Sequence, residues 1–267
     1  MDLSLIRHEK IRPPLKWAGG KRWLFPHIQP IWEPYSNLRL VEPLCGGLAI
    51  TFSLRPRKAL LNDINPHLIN FYQQIKNGLE VNIQMENDKE LYYKSRQRFN
   101  QLIEEGRWKT PEAAQLFYYL NHTGYNGLCR FNKAGLFNVP FGRYTRINYL
   151  TDFKKYTEAF SSWEFTYGDF SKVEIEEDDF VYIDPPYDVE FRQYSAEGFS
   201  WDDQLRLANW CSNLNTPVVI SNQATDRVVE LYMNLGFFVR FVDGPRFISC
   251  IGNKRGRVEE VLATKGI

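Results

Sequence analysis

The sequence has few of the features that mark secreted, membrane-spanning or disordered proteins. Its cysteines are scattered through 267 residues without a C-x-x-C pair, which argues against a disulfide framework and a thiolate metal site. No apolar run approaches the length of a membrane span, and the first residues contain no secretory signal. Low-complexity tracts are also missing. We therefore expect a folded cytoplasmic protein with no metal and no membrane contact. The four cysteines are Cys45, Cys129, Cys211 and Cys250.

The net charge of +1 says little, but the distribution of charge says more. Three windows contain basic residues and no acidic ones: residues 10–32, 113–151 and 244–258. If these windows share one face of the protein, that face would attract nucleic-acid phosphates. If they lie on different faces, they are ordinary solvated surface. The charge pattern alone does not decide between the two arrangements.

Short apolar segments alternate with amphipathic segments along most of the chain. The amphipathic segment 200–215 is predicted to be a helix, because Ser200 and Asp203 resemble a capping box at its start. The alternation predicts an α/β fold with a Rossmann-like, doubly wound, mostly parallel sheet. The predicted strands lie in 38–43, 58–65, 178–188 and 216–223, with a closing pair in 236–243 and 258–264.

Residues 71–150 interrupt this alternation. They are rich in Asn, Gln, Tyr and Arg, and two helices are predicted, in LYYKSRQRFNQLIEEG and in PEAAQLFYYLNHTG. The second helix has Gly124 as its predicted C-cap. We interpret residues 71–150 as an inserted, mainly helical domain that carries recognition.

The tetrapeptide Asp184-Pro185-Pro186-Tyr187 carries the most chemical information. It follows a predicted buried strand, and ligands of open α/β sheets bind beyond the carboxyl ends of the strands. The Asp184 carboxylate and the Pro185 carbonyl could accept both hydrogens of an amine such as adenine N6, which would direct its lone pair at an incoming methyl group. The prolines stiffen the loop, and Tyr187 offers a face for a stacked base. The alternative is an ordinary strand-ending turn.

Other segments predict a cofactor site. Gly46 and Gly47 open a turn after the first strand, which permits close approach of the backbone to a ligand. Asp63 ends the next strand, where it could bind ribose hydroxyls or cap the following helix. The segment KWAGGK (16–21) suggests a cationic loop for a carboxylate or for DNA. Residues 169–170 could lie beside an adenine ring, although each of these segments also fits an ordinary turn or packing role.

Taken together, these residues resemble the Dam family of DNA adenine-N6 methyltransferases. The resemblance covers nearly the whole chain, and its segments stand in the order that the family has. It departs at Leu44 and Leu48, where the family usually has Phe and Gly, and at His122 and Thr123. The segments are PPLKWAGGKRWLFPHI, VEPLCGGLAI, LNDINPHLINFY, NHTGYNGLCRFNKAGLFNVPFGRY and FVYIDPPY.

The motifs and the resemblance together predict an adenine-specific DNA methyltransferase. We expect a nucleoid-associated monomer that uses S-adenosyl-L-methionine and reads double-stranded DNA, with GATC as the first candidate target. Residues 1–70 and 151–267 would form the S-adenosylmethionine-binding catalytic domain, and residues 71–150 the target-recognition domain. The expected catalytic residues are Asp184, Pro185, Pro186 and Tyr187. The expected cofactor contacts are Trp17, Lys21, Glu42, Gly46, Asp63, Asp169, Phe170 and Asp184. The expected DNA contacts are Lys16, Tyr125, Asn126, Leu128, Arg130, Asn138, Pro140 and Arg143.

Two other functions would use some of the same residues. A methyltransferase for guanine N2 of ribosomal RNA, or for a protein glutamine amide, would also carry a D/N-P-P-Y motif. The segment GYNGLCRFN…FNVPFGRY disfavours this alternative, because neither substrate needs a duplex-reading insertion. A non-catalytic DNA-binding module could retain the fold, but the intact Asp63 and Asp184 disfavour it. A partner restriction nuclease, the host and processivity stay open.

Overall fold

The computed structural model describes residues 11–188, 199–244 and 259–267. Among these residues, no helix is long and apolar enough to cross a membrane. The strands are β1 (Arg39–Glu42), β2 (Ala59–Asp63), β3 (Trp163–Tyr167), β4 (Asp179–Ile183), β5 (Val218–Gln223), β6 (Phe238–Asp243) and β7 (Glu259–Lys265). The α-helices are α1 (Phe25–Trp32), α2 (Thr51–Leu54), α3 (Pro66–Lys76), α4 (Lys89–Glu104), α5 (Pro111–Thr123), α6 (Lys154–Phe160), α7 (Trp201–Ser212) and α8 (Asp226–Asn234).

The strands form a sheet in the order β3-β2-β1-β4-β5-β7-β6. Strands β1 to β5 are parallel, whereas β7 is antiparallel to both of its neighbours, β5 and β6. The prediction of a mostly parallel, doubly wound sheet with a closing pair of strands is therefore confirmed. The strand order reverses between β1 and β4, which is the point where ligands of such sheets bind.

Both faces of the sheet are covered, which explains why its central strands are apolar throughout. Along β4, Phe180 and Tyr182 face the core that contains α1, α3 and α5, whereas Val181 and Ile183 face the core beneath α7 and α8. Alternate residues of a strand point to opposite faces, so a strand covered on both faces needs an unbroken apolar run. The one charged residue of β4, Asp179, is buried at its start and pairs with the guanidinium of Arg39 at 2.7 Å.

Local sequence signals predicted the start of α7 and the end of α5. The predicted capping box of α7 is present, with reciprocal bonds between Ser200 and Asp203. Gly124 ends α5, but its φ of −72° is extended and not left-handed. Space is the reason for glycine there, because a Cβ atom would lie 2.6 Å from the carbonyl oxygen of Leu120.

The helix that follows the first glycine turn is only one turn long. Helix α2 has four residues, and Arg55 ends it with a left-handed φ of +52°. Pro56 follows and prevents the helix from continuing.

The segment 71–150, which we interpret as an insertion, starts within α3. This helix continues past residue 71 to Lys76, so the predicted boundary at residue 71 falls inside a helix. A bridge between Glu80 and Asp152 brings together the outgoing and returning ends of the insertion. Helix α5 packs against α3 and α4, and the Phe71 and Tyr118 rings stack with centroids 5.3 Å apart. The insertion therefore shares its core with the sheet.

Candidate active site and nucleic-acid interface

Loops from neighbouring strands meet at the carboxyl edge of the sheet. Strand β1 leads into the turn 43–48, β2 ends at Asp63, and β4 is followed directly by Asp184. Because β7 is antiparallel, it contributes its first residues to this same edge, where Glu260 lies opposite Gln223 of β5. The fold thus brings together segments that are far apart in sequence.

The turn after β1 has a strained and tightly packed backbone. Gly46 has φ +45°, and Leu48, which replaces the glycine usual in the resembling family, has φ +60° while fully buried. A left-handed conformation costs a non-glycine residue roughly 1–2 kcal/mol. The Trp17 side chain lies against the turn, since a Cβ atom at Gly47 would lie 2.5 Å from the Cβ atom of Trp17. Glycine is therefore needed where the indole packs.

Asp63 joins the turn after β1 to the start of α3. Its Oδ2 accepts a hydrogen bond from the backbone N–H of Gly46 at 3.0 Å, and its Oδ1 accepts one from Asn65 at 2.9 Å. The N-cap of α3 is Asn65, whose side chain accepts from the N–H groups of His67 and Leu68. The alternative interpretation of Asp63 as the helix cap is therefore wrong.

Two buried carboxyl groups flank this turn. Thr51 Oγ1 donates a hydrogen bond to Glu42 Oε1, and burial raises the pKa of Glu42 to about 8. Burial also raises the pKa of Asp63, against the effect of its two backbone donors. A nearby positive charge would stabilise the ionised forms of both carboxyl groups and lower their pKa values.

Asp184 lies where β4 ends, with its side chain about a quarter exposed (24%). Ser221 Oγ donates to Asp184 Oδ1 at 3.0 Å, and Lys21 Nζ lies 3.4 Å from the same oxygen. Burial raises the pKa of Asp184 to about 6, while Lys21 and Ser221 act in the opposite direction. Within the described chain, Oδ2 of Asp184 has no hydrogen-bond partner.

The loop after Asp184 is held from α7. Gln204 Nε2 donates to the carbonyl oxygen of Pro186 at 2.8 Å, and Asn222 in turn donates to Gln204 at 3.1 Å. No described donor binds the carbonyl oxygen of Pro185. The loop is thus fixed, and neither Asp184 Oδ2 nor the Pro185 carbonyl has a hydrogen-bond partner among the described residues.

Tyr187 and Lys21 meet at a buried carboxylate. The Tyr187 hydroxyl donates to Glu260 Oε1, and Lys21 Nζ lies 2.8 Å from Glu260 Oε2. The same Nζ lies 4.3 Å from the centroid of the Tyr187 ring. We name Lys21, Asp184, Tyr187 and Glu260 the acceptor pocket.

Asp169 and Phe170 lie at the same edge but already have partners. Arg206 donates to both carboxylate oxygens of Asp169, at 2.7 and 2.8 Å, and these bonds hold the pKa of Asp169 well below its usual range. Phe170 is buried beside Trp210, with ring centroids 5.7 Å apart. A bond from Asn62 to the carbonyl of residue 168 ties this segment to the end of β2.

A cavity of about 550 Å³ opens beside the loop 12–23. Its volume is within the usual range for small-molecule sites. Residues predicted to contact DNA and residues predicted to contact the cofactor line it together. Its lining includes Arg12, Lys16, Trp17, Lys21, Tyr187 and Glu260.

Residues 124–142 form a hairpin that α4 supports. The side chain of Asn100 accepts from the N–H of Phe137 and donates to its carbonyl, at 2.8 and 3.1 Å. Tyr92 and Arg96 both donate to the carbonyl of Val139. We name residues 124–142 the recognition hairpin.

The predicted DNA contacts lie mostly on the accessible side of the recognition hairpin. Arg130 Nε donates to Asn138 Oδ1 at 2.8 Å, so these two residues pair across the hairpin. Asn126 has a left-handed φ of +53°, which Asn adopts more readily than most residues. Tyr125, Asn126, Arg130 and Pro140 are exposed, as is the adjacent Arg143, whereas Leu128 and Asn138 are partly buried.

Lys16 connects the loop 12–23 to the insertion. The Asn121 side chain of α5 accepts from the backbone N–H of Lys16 and donates to its carbonyl, both at 2.8 Å. Lys16 Nζ donates to the carbonyl of His122 and lies 4.0 Å from the centroid of the Tyr144 ring. The first two basic windows therefore meet at Lys16. The third window, apart from residue 244, and Cys250 lie outside the described residues.

Several residues of the site carry no sequence motif. Glu260, Ser221, Gln204 and Asn121 all bind predicted site residues, yet none of them was expected to. Among these four, Glu260 offers a weak signal, because it is a charged residue directly before the buried apolar run 261–263. The described residues contain no group of three or more His, Cys, Asp or Glu side chains placed to hold a metal ion.

A family model and several curated proteins match the chain. Residues 17–241 match the model described as D12 class N6 adenine-specific DNA methyltransferase. The Type II methyltransferase M1.LlaDCHI of Lactococcus lactis subsp. cremoris is 35% identical, over 98% of this chain and 99% of that protein. The Retron Ec67 DNA adenine methylase of Escherichia coli is 33% identical, over 94% and 90% of the two chains. The DNA adenine methylase of Salmonella typhi is 37% identical, over 96% and 95%.

Proposed function

The chain belongs to the D12 class of N6 adenine-specific DNA methyltransferases, and from this membership we propose that it methylates an adenine flipped out of duplex DNA. The proposed methyl donor is S-adenosylmethionine, and the proposed target is GATC. The observation that supports this most strongly is the pair of available acceptors, Asp184 Oδ2 and the Pro185 carbonyl, at the reversal point of the sheet.

The proposed chemistry depends on these two acceptors. The lone pair of adenine N6 is delocalised into the ring, so the amine is a poor nucleophile until both N–H bonds are engaged. Asp184 Oδ2 would accept one N–H and the Pro185 carbonyl the other, and the lone pair would then be free to attack a methyl group. Gln204 holds the loop from outside, so the acceptors are oriented before the base arrives.

The proton leaves N6 only after the nitrogen gains a bond and becomes acidic. An ionised Asp184 is the acceptor best placed to take it, because Lys21 lies close enough to stabilise its negative charge. No strong base is required in advance, which suits a carboxyl group with a pKa of about 6. Tyr187 would stack on the flipped base.

The residues at the carboxyl edge fit a cationic methyl donor. When bound, S-adenosylmethionine supplies an electrophilic methyl group on a positively charged sulfonium. Glu42 and Asp63 are buried carboxyl groups with raised pKa values, so a cationic ligand would be stabilised by them and would favour their ionised forms. Asp169 keeps further lone pairs beyond those that Arg206 uses. The proposed cofactor contacts are Trp17, Lys21, Glu42, Gly46, Asp63, Asp169, Phe170 and Asp184.

The recognition hairpin would read the target. Arginine can donate two hydrogen bonds to guanine O6 and N7, and apolar side chains can contact the thymine methyl group. Tyr125 is 51% exposed, so its ring is available to fill the space that a flipped adenine leaves. We propose that the insertion begins after Lys76 and returns at Asp152, because α3 ends and the Glu80–Asp152 bridge forms there. The proposed DNA contacts are Lys16, Tyr125, Asn126, Leu128, Arg130, Asn138, Pro140 and Arg143.

Methyl transfer to two duplexes tests this proposal. One duplex contains GATC and the other has the site scrambled, and labelled S-adenosylmethionine is the donor. We expect label only in the GATC duplex, recovered as N6-methyladenine after digestion. Label in both duplexes would support methyl transfer to DNA but would show that GATC is not the target. Label in neither, with transfer to ribosomal RNA or protein, would favour the alternative amine substrates.

A further inference from the structure

Glu260 has a buried carboxylate, and its two described side-chain partners, Lys21 and Tyr187, both belong to the acceptor pocket. Its side chain is 2% exposed, on a strand whose next three residues are apolar and buried. A buried charge is costly unless it is paired and hydrogen-bonded. Both oxygens of Glu260 meet this condition, one through Lys21 and the other through Tyr187.

The partners of Glu260 come from two different loops. Lys21 lies on the loop between residues 12 and 23, which also carries Lys16 and Trp17, whereas Tyr187 follows β4. Lys21 Nζ is closer to Glu260 (2.8 Å) than to Asp184 (3.4 Å). Glu260 thus draws the lysine toward itself and keeps it from pairing with Asp184 alone.

We propose that Glu260 is a positioning residue of the acceptor pocket. One carboxylate oxygen fixes the Tyr187 ring on which the target base would stack, and the other holds Lys21 beside Asp184 without neutralising it. This inference rests on the proposed function, and it adds a role for β7 that no motif in the sequence indicates.

The proposal has a consequence for the ionisation of Asp184. The charged groups that act on Asp184 are Lys21, which lowers its pKa, and Glu260, which raises it; the Ser221 hydroxyl also lowers it. Asp184 in turn raises the pKa of Glu42 of β1. Removing the charge of Glu260 would have two effects. The repulsion that raises the pKa of Asp184 would be lost, and Lys21 would pair with Asp184 alone. Both effects would lower the pKa of Asp184.

The test uses three variants and a matched control in the full chain. Glu260→Gln keeps the shape and removes the charge, Tyr187→Phe removes only the hydroxyl, and the double variant measures their coupling. Glu259→Gln changes the exposed neighbour on the same strand. The measurements are single-turnover methyl transfer as a function of pH, the fluorescence of 2-aminopurine at the target position on binding, and the melting temperature.

We expect Glu260→Gln to slow methyl transfer by about ten- to a hundredfold, the range for a lost charge-assisted hydrogen bond. Its acidic pH limb should move to lower pH, which a merely structural loss would not cause. Tyr187→Phe should have little further effect on the Glu260→Gln background, in both rate and 2-aminopurine signal. Glu259→Gln should behave as wild type.

Three results would overturn the proposal: an unchanged rate in Glu260→Gln, an unshifted acidic limb, or additive effects of the two substitutions. A wild-type chain that transfers no methyl group would overturn the proposed function instead. The coupling between Tyr187 and Glu260 would then still be measurable from melting temperatures. If the change in the double variant differs from the sum of the two single changes, the two side chains interact. If it equals that sum, the interaction is rejected.

Discussion

The acceptor pocket and the recognition hairpin are built in opposite ways. In the pocket, the side chains of Lys21 and Glu260 are 4% and 2% exposed, and each charged group has an opposite charge or a hydrogen-bond donor beside it. In the hairpin, Tyr125 is 51% exposed, and the described partner of the Arg130 side chain is Asn138 of the same hairpin.

This difference fits the roles that we propose for the two regions. Charges act strongly in chemistry when water is excluded and their orientation is fixed beforehand. Donors that read bases must instead exchange water or a local partner for the base edge, so they stay near solvent. Changes in the pocket should therefore alter rates and pKa values, whereas changes in the hairpin should alter specificity and salt dependence.

The largest expected effect is that of Asp184→Asn in the pocket. The amide keeps the shape but loses the charge that accepts from N6, so we expect methyl transfer to fall by at least about a hundredfold. DNA affinity should stay within about threefold of wild type, since the substituted group is not a phosphate donor. Parallel measurements of turnover and DNA binding check this, with Asp202→Asn on the exposed face of α7 as the control. Near-normal turnover would reject the acceptor role.

The next effect concerns stability and pH at Glu42. Its folded pKa of about 8 is raised above the unfolded value, so the folded state binds the proton more tightly. This contribution is fully present at pH values below the unfolded pKa and is lost as pH rises toward about 8. Glu42→Gln removes this dependence. The free energy of unfolding of the variant should therefore rise by about 2 kcal/mol relative to that of wild type as the pH increases from about 6 to about 8.

Melting temperatures at several pH values measure the Glu42 effect. A change of about 2 kcal/mol corresponds to roughly 4–8 °C for a chain of this size. Glu158→Gln, an exposed change on α6, provides the control and should show no such trend. A difference between Glu42→Gln and wild type that does not grow with pH would mean that Glu42 is already ionised in the folded protein.

A smaller and different effect is expected at Arg130. Arg130→Ala should cost about 1–3 kcal/mol of discrimination at one base pair, because a bidentate contact to guanine would be lost. Asn138→Ala should reduce discrimination at the same base pair by a smaller amount, because it removes only the side-chain hydrogen bond that holds the Arg130 guanidinium. Methylation rates on the set of single-base variants of the target measure both. Equal losses on all sequences would identify Arg130 as a phosphate contact.

The smallest effect is expected at Lys133, an exposed residue at the tip of the recognition hairpin. Lys133→Gln should weaken DNA binding equally for all sequences and reduce the slope of log affinity against log salt by about 1. Lys58→Gln, at the amino end of β2 and thus at the opposite edge of the sheet, is the control. An unchanged slope would place Lys133 outside the DNA interface.

Local patterns in the sequence determined most of the secondary structure and the position of the central motif. Apolar runs between turn residues predicted β1, β2, β4 and β5 and the closing pair, and the capping residues predicted the start of α7, because these signals act within a few residues. The place of Asp184 at the end of β4 followed from the same reasoning. Strand β3 was not among the predicted strands.

Only the tertiary structure decided which side chains surround that motif. Lys21 and Glu260 are 239 residues apart in sequence, and they meet because β7 lies between β5 and β6 and runs antiparallel to both. The pairing of Arg206 with Asp169 and the clamp of Asn121 on Lys16 likewise depend on how distant elements pack. Periodicity and capping report on neighbours along the chain, whereas strand order and packing are set by the burial of all the apolar faces together.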